Sequence, residues 1–431
     1  MEESLASTGP PAYTPGMKSR RTRWIPLGLA LASLVLLAAG TMEPIRIELC
    51  PSPELRPFVG GSLDCAAELL PKLKTQTGNL VFSPYSLASV LAVAQTGARG
   101  KTAEQITHSC HFSTNQAEHL AALARVRKEL AAHGKRGSIQ LNSATGLWAQ
   151  KDYDFEKDFV NLVRREHGAE VEFVDYVNSA GAVADQINSW IKKNTKGKIT
   201  GGISRRSVTS GTRMIVANAI YFKGDWASRF ERNVTHQRPF HLAADSSVDV
   251  PTMAQENNFY YGEADDVQML VLPYVGHGLH MLVLLPKQGE LGRLGERLGA
   301  GYLESWANKL HLCKVEVRLP RFNITSTHSL KEPLQALGLQ DAFDPALADF
   351  TRMSARRPLF IQTAEQTTLV EVNEEGTVAA AATQVSVGCS APAPLPQQKF
   401  HADRPFLFLI RESNTGMILF LGRVVNPLST Q

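Results

Sequence analysis

The sequence predicts an α+β fold with antiparallel or mixed sheets, on three observations. Helical periodicity dominates the first half of the chain, strand patterns dominate the last third, and both mix between them. No internal repeat is visible. Strands and helices do not alternate as a doubly wound sheet requires. The 431 residues suffice for one large domain or two to three ordinary ones, and a hydrophobic content of 43% allows a substantial core. The net charge is only +4, with no long basic run in the body, so nucleic-acid binding has no compositional support. Five cysteines (Cys50, Cys65, Cys110, Cys313 and Cys389) show no C-x-x-C spacing, which argues against a zinc site. Their odd number leaves at least one free or paired with another molecule, and the spacing assigns no disulfide. Neither a metal nor another cofactor is expected.

Residues 1–17 are polar with Pro and Gly and read as a disordered tail. In segment 18–41, Lys18, Arg20, Arg21 and Arg23 precede an apolar run over 24–40 that ends in small residues. That is the layout of a cleaved signal peptide; a retained signal anchor, tethering the chain to a membrane, is the alternative. Either places the body outside the cytoplasm, secreted or anchored. Segment 42–61 is Pro-rich and reads as a linker. Residues 63–73 have helical periodicity. Ser83 is placed to cap a helix with Pro84 in its first turn, and residues 87–94 are apolar all round, so that helix is buried. Further helices are expected over 102–110, 115–133, 155–167, 180–193 and most of 291–310. Strands are expected over 138–150, 214–222, 267–272, 279–285, 314–319 and 369–372. The strand at 214–222 is too apolar for a sheet edge, and the turn at 274–278 makes a hairpin of its neighbours. Residues 406–410 and 417–421 form a buried hairpin around Asn414-Thr415-Gly416.

Between the strand at 369–372 and that last hairpin lies the stretch that fits neither class. Glu374-Glu375-Gly376-Thr377-Val378-Ala379-Ala380-Ala381-Ala382-Thr383 leads through small, nearly uncharged residues to a proline-rich end at Pro396. It has too little apolar surface to repay the entropy of ordering it, and a loop this long needs a functional reason. Its small side chains would nonetheless fit into almost any sheet.

The chain from about Ser62 to Pro427 resembles the serpin family. The carrying motifs are Val81-Phe82-Ser83-Pro84-Tyr85-Ser86, Gly97-Ala98-Arg99-Gly100-Lys101-Thr102, Asn218-Ala219-Ile220-Tyr221-Phe222-Lys223-Gly224-Asp225-Trp226, Leu319-Pro320-Arg321-Phe322, Asp341-Ala342-Phe343, Val372-Asn373-Glu374-Glu375-Gly376-Thr377 and Asp403-Arg404-Pro405-Phe406-Leu407-Phe408. Each is weak alone; their common order is specific. The resemblance implies one serpin domain over 62–431, with three β-sheets, eight or nine helices and an exposed reactive-centre loop over about 375–399. It implies a non-enzyme: an endopeptidase inhibitor whose partner is a serine protease, or a cysteine protease, and which acts as a monomer.

In that family the loop is bait, and the cleaved loop enters the central sheet as a new strand. The hinge implied here is Glu374, Glu375, Gly376, Thr377, Ala379, Ala380, Ala381 and Ala382, which matches the inhibitory pattern at every fixed position. Gly376 supplies freedom at the bend. Seventeen residues counted from Glu374, the usual family distance, put the reactive bond at Ser390–Ala391. The long distal side, 392–398, leaves Cys389–Ser390 as the nearest alternative and Val387–Gly388 as a remoter one. None carries Arg or Lys, so elastase-like or subtilisin-like pockets fit better than trypsin-like ones.

The resemblance also assigns Ser83, Ser86 and Asn218 to the shutter beneath the sheet, where capping and ordinary buried hydrogen bonding would equally account for them. Where the family carries His on the strand before the hinge, this chain has Gln366. Gln can donate and accept, but it does not titrate. Trp226 matches the breach at the top of the sheet, and Arg321 the basic partner of Glu374; a surface charge pair is the plainer reading of the last two. Asn233-Val234-Thr235 and Asn323-Ile324-Thr325 are glycosylation sequons, meaningful only in a eukaryotic secreted protein. Arg125, Arg127, Lys128, Lys135 and Arg136 fall where some relatives bind heparin, but read better as a solvated face. Cys389 and His401 are no catalytic pair, because a mobile loop cannot hold them in register. A different class remains open: a non-inhibitory serpin acting as carrier, chaperone or storage protein.

Overall fold

The computed structural model describes residues 52–73, 78–133, 139–264, 266–287, 291–377 and 397–430. The tail, the 18–41 segment, the first part of the 42–61 segment, Ala379 to Ala382 and every candidate reactive bond lie outside them.

Helix α1 (Arg56–Leu69) corrects one boundary. It begins inside the segment expected as a linker, and well before residue 63. Pro57 stands in its first turn, where a missing N–H costs nothing, and Phe58, Val59 and Leu63 are buried. The prolines marked a helix start rather than a linker. After β1 (Leu80–Phe82), Ser83 caps α2 (Pro84–Gly97): its side chain accepts the Ser86 N–H at 3.1 Å. α2 is buried along nearly its whole length. Then come α3 (Gly100–Ser109), α4 (Gln116–His133), β2 (Ile139–Gln150), α5 (Lys157–Glu166), β3 (Glu170–Val174), α6 (Tyr176–Asn194) and β4 (Met214–Asp225). Next are β5 (His236–Ala243), β6 (Ser246–Glu263), β7 (Val267–Pro273), β8 (Leu279–Pro286), α7 (Leu291–Arg297) and α8 (Ala300–Ala307). The mostly helical stretch expected over 291–310 consists of two helices, parted at Gly299, which caps α8 while Asp64 accepts the Ala300 N–H at 2.8 Å. β9 (His311–Pro320), β10 (Phe322–Ser329), α9 (Lys331–Ala336), β11 (Glu365–Val372), β12 (Gly376–Thr377), β13 (Gln397–His401), β14 (Phe406–Glu412) and β15 (Ile418–Val424) complete the chain.

The first sheet has the order β10-β11-β12-β4-β2-β3. β4 lies inside it, as its apolar sequence requires, and pairs with β2 from Ile139↔Gly224 to Ala149↔Met214. The remaining strands form one network, β1-β15-β14-β8-β7-β6-β9-β13, with β5 on β6. The expected second and third sheets are joined because β6 is 18 residues long. Its first part pairs with β5, its middle and end with β9, and its last four residues also with β7. Both expected hairpins are present, β7–β8 and β14–β15. α6 packs on the outer face of the first sheet, with Trp148 and Trp190 in a T-shaped contact at 5.1 Å and Val183, Ile187, Ala217 and Ala219 around them. α2 and the 3-10 turn Asp341–Phe343 lie on the other side.

Candidate functional site

The described part of the expected hinge, residues 374–377, is a tight hairpin with Asn373. Asn373 and Gly376 exchange backbone hydrogen bonds at 2.9 and 3.2 Å, with Glu374 and Glu375 at the tip. The Asn373 Oδ1 accepts from the Glu375 N–H at 3.0 Å, which fixes the turn locally. The return limb is β12, which lies antiparallel between two strands: Val372↔Thr377 on one side, Gly376↔Asp225 and Thr377↔Gly224 on the other. Gly376 has φ 150°, and a Cβ there would sit 2.0 Å from the Gly224 carbonyl oxygen, so only glycine fits. Thr377 is buried, its hydroxyl 2.8 Å from the Tyr274 hydroxyl. Burial pushes the Tyr274 pKa well up, so that ring stays neutral.

The loop after β4 grips the hairpin. Trp226 stacks on Tyr274 at 4.6 Å and donates its indole N–H to the Asn373 carbonyl at 3.0 Å. The backbone N–H groups of Trp226 and Phe230 donate to Glu375 and Glu374 carbonyls at 2.8 and 3.0 Å. The Glu374 side chain is buried and accepts from the Thr235 hydroxyl at 2.9 Å. Arg321 does face Glu374, but at 3.7 Å, beyond hydrogen-bonding reach; Thr235 is the direct partner. Arg232 pairs with Glu375. Sequence reasoning found Trp226, Gly376 and Thr377 but missed Tyr274, Asn373 and Thr235. Asn373 was the findable one, since Asn three residues before Gly is a turn signal.

Below β12, β4 and β11 are not paired; among the described residues they are joined only through β12. A cavity of about 140 Å³ opens there. Its floor is α2 with Ser86, Leu87 and Leu91, its banks carry Asn218 and Gln366, and Ile199 and Ile203 reach it from the segment after α6. Gln366 holds Ser83 at both backbone groups: it accepts from the N–H at 2.8 Å and donates to the carbonyl at 3.1 Å. Ser83, Ser86 and Gln366 are thus brought together. Asn218 lines the same cavity but is not hydrogen-bonded to them; its amide donates to Thr145 at 3.0 Å, and among the described residues its buried Oδ1 has no hydrogen-bond partner. His328 lies directly across from Gln366 on β10 and is hydrogen-bonded to the Val81 carbonyl at 3.1 Å. Burial lowers its pKa. The titratable group that position 366 lacks stands one strand away.

Asn233 and Asn323 are both exposed, on the 3-10 turn Arg232–Val234 and on β10. Arg125 pairs with Glu54 at 2.8 Å and Arg127 donates to the Glu166 carbonyl at 2.5 Å, so this face is partly self-engaged. Cys65, Cys110 and Cys313 are free and buried. His401 sits on β13 beside Glu316 at 3.1 Å. Among the described residues no cluster of His, Cys, Asp or Glu could hold a metal, and no helix is long and apolar enough to cross a membrane.

A family model described as serpin (serine protease inhibitor) matches residues 61–427. The chain is 37% identical over 361 residues to the leukocyte elastase inhibitor of Homo sapiens, covering 81% of this chain and 93% of that one. It is 34% identical over 389 residues to an uncharacterized serpin-like protein of Thermococcus kodakarensis, covering 90% of each. Among solved structures, human thyroxine-binding globulin in complex with thyroxine superposes with a TM-score of 0.78 at 27% identity, covering 87% of this chain and 100% of that one.

Proposed function

The chain belongs to the serpin family, and from that premise we propose that it traps a serine protease as a suicide substrate. The observation that carries this reading is β12, already lodged between β4 and β11, which below it are not paired with one another among the described residues. The protease serine attacks the carbonyl of Ser390, or of Cys389 in the alternative register. The peptide C–N bond breaks, the Ala391 (or Ser390) amine leaves, and an acyl-enzyme remains on the proximal part of the loop. Strand formation then continues from Thr377. Alternation puts Ala379, Ala381 and Thr383 on the α2 side with Thr377, and Val378, Ala380 and Ala382 on the α6 side. Small side chains enter either face without displacing neighbours, and each residue added satisfies backbone groups on both banks. The acylated protease is carried away from its starting point and its active site distorted before water can release it.

The candidate bonds lack Arg and Lys, which supports an elastase-like or subtilisin-like target over a trypsin-like one. A human relative bears the name leukocyte elastase inhibitor. The basic start and apolar run of 18–41 support export, with the inhibitory domain outside the cytoplasm. The test is incubation with pancreatic elastase, which is expected to give an SDS-stable covalent complex. Clean loop cleavage with no complex sinks the reading for that target. The likeness to thyroxine-binding globulin, whose solved structure holds thyroxine, keeps a carrier reading in view. Nicking the loop separates the two: insertion raises the thermal unfolding midpoint sharply, while a carrier shows no rise.

A further inference from the structure

We propose that Cys65 and Cys110 are a disulfide site, which staples α1 to the end of α3 when the chain folds in the presence of a disulfide oxidant. The bond's presence in the natural protein rests on the export reading above, because exported chains fold where such oxidants are supplied. The capacity to form it rests on the packing of α1 alone.

α1 turns one face to residues 110–112. The spacing of Phe58, Gly61, Cys65 and Glu68 puts all four on one side of a helix. Three of them touch that stretch. The Phe58 and Phe112 rings lie 6.3 Å apart, and Glu68 Oε1 meets His111 Nε2 at 3.0 Å. A Cβ on Gly61 would sit 2.1 Å from the His111 carbonyl oxygen, so glycine brings the two backbones closer than any other residue allows. Cys65 stands one turn beyond Gly61 and just before Glu68, and the residue preceding His111 is Cys110, which closes α3. A disulfide needs its two Cα atoms within about 7 Å, and the glycine approach one turn away is what permits so close a passage. Both side chains are buried, at 3% and 1% exposure. The thiols meet: hydrogen-bonding contact with Cys65, together with burial, holds the Cys110 pKa well above that of a free thiol. Cys313, also buried, stands on β9 and serves as the control.

The oxidant is a small-molecule disulfide of the glutathione class. One protein thiolate attacks a sulfur of the oxidant, whose S–S bond breaks and releases one glutathione thiolate. The second protein thiolate attacks the protein-side sulfur of the mixed disulfide and releases the other. The two cysteine protons pass to the departing thiolates, so two cysteines are oxidised and one glutathione disulfide is reduced to two thiols. Exchange needs both thiolate and access. Burial and the raised Cys110 pKa withhold both in the folded chain, so the bond closes during folding, before α1 is docked. The closed loop from residue 65 to residue 110 removes conformations from the unfolded chain and so stabilises the folded one. Asp64, the neighbour of Cys65, holds the first N–H of α8. The staple thus secures the point where α1, α3 and α8, distant in the chain, come together.

The test refolds the full chain in a mixture of oxidised and reduced glutathione, digests it without reduction and maps the peptides by mass spectrometry. A peptide holding Cys65 joined to one holding Cys110 is expected. The thermal unfolding midpoint of the oxidised chain should lie about 5 °C above that of the same chain in reductant. Cys65→Ala and Cys110→Ala each abolish this oxidant-dependent difference, and Cys313→Ala keeps it. Comparing each variant with itself in the two buffers cancels the cost of any cavity that truncation leaves. Free Cys65 and Cys110 after oxidative refolding overturn the assignment, as does either of them joined to Cys50, Cys313 or Cys389. The same map of chain made by a secreting cell, with its own N-terminal segment, separates the site from the export reading. If the refolded chain carries the bond and the cell-made chain carries both thiols, the site stands and the export reading falls.

Discussion

The two ends of the slot between β4 and β11 are built on opposite principles. At the top, the hinge hairpin is held by groups that do not titrate near neutrality: Trp226 on Tyr274, Tyr274 on Thr377, and Gly376 pressed against the Gly224 carbonyl. There is no spare room, and one Cβ would collide with backbone. At the bottom there is a cavity, an Asn218 oxygen with no partner among the described residues, and a Gln366 amide that meets Ser83 through its backbone. The top is a template that dictates where a strand starts. The bottom is a seam, loosely closed, along which the strand can run. A sheet that must accept a strand needs both: a fixed register at entry and little to break further in.

Three tests would break or sharpen that contrast. The largest effect is expected at the top. Gly376→Val puts a Cβ into the Gly224 carbonyl and a branched side chain at a glycine-only dihedral, a strain of about 3 kcal/mol or more. β12 is expelled, and SDS-stable complex is expected to vanish while loop cleavage persists. Retention of full complex formation would show that the template is dispensable.

Acid should act next, and on the seam. His167 and His328 touch the two ends of the floor, through Thr96 in α2 and through Val81 just before it. Burial holds His167 at about 4 and also lowers His328. An unfolded histidine titrates near 6.5, so between 6.5 and 4 the unfolded chain binds protons that the folded chain refuses. Stability is therefore full above 6.5 and is lost as pH falls toward 4, with His167 alone contributing of the order of 3 kcal/mol. The thermal unfolding midpoint is expected to drop steadily over this window, and His328→Gln to flatten part of the drop. A flat profile in the unaltered chain would remove the titrating groups from the account of the seam.

The smallest effect tests the detail of the template. Thr235→Val removes the direct hydrogen bond to buried Glu374, a loss of about 1 kcal/mol. Arg321→Ala removes only an exposed charge at 3.7 Å, worth less than about 1 kcal/mol. Urea midpoints of the two variants should rank in that order; the reverse ranking would restore Arg321 as the principal partner.

Both ends of the slot were legible in the sequence only in part. Ser83 and Pro84 capped a helix as their chemistry requires, β4 was too apolar to be an edge, and both late hairpins were marked by their turns. β5 and much of β6 gave no signal because polar and charged residues stand on both faces of exposed strands. The partnership of Tyr274 with Thr377 joins residues 103 apart in the chain, and no local pattern reports it. His328 escaped notice for a related reason. The resemblance directed attention to position 366 in the chain, while cross-strand register, which only the sheet reveals, puts the imidazole opposite it.

The two ends of the loop are rooted in different sheets. β12 belongs to the six-stranded sheet, whereas β13 runs parallel to β9 in the other network, paired from Gln397↔Lys314 to His401↔Arg318, and is followed by the buried β14–β15 hairpin. A cut at the proposed bond would therefore leave two polypeptides of unequal freedom. The longer can travel with its N-terminal limb of the loop; the piece from 391 onward is woven into the core and would stay behind as a lodged subunit. The cleaved molecule would behave as a non-covalent heterodimer, whole in native solution and divided only by denaturant.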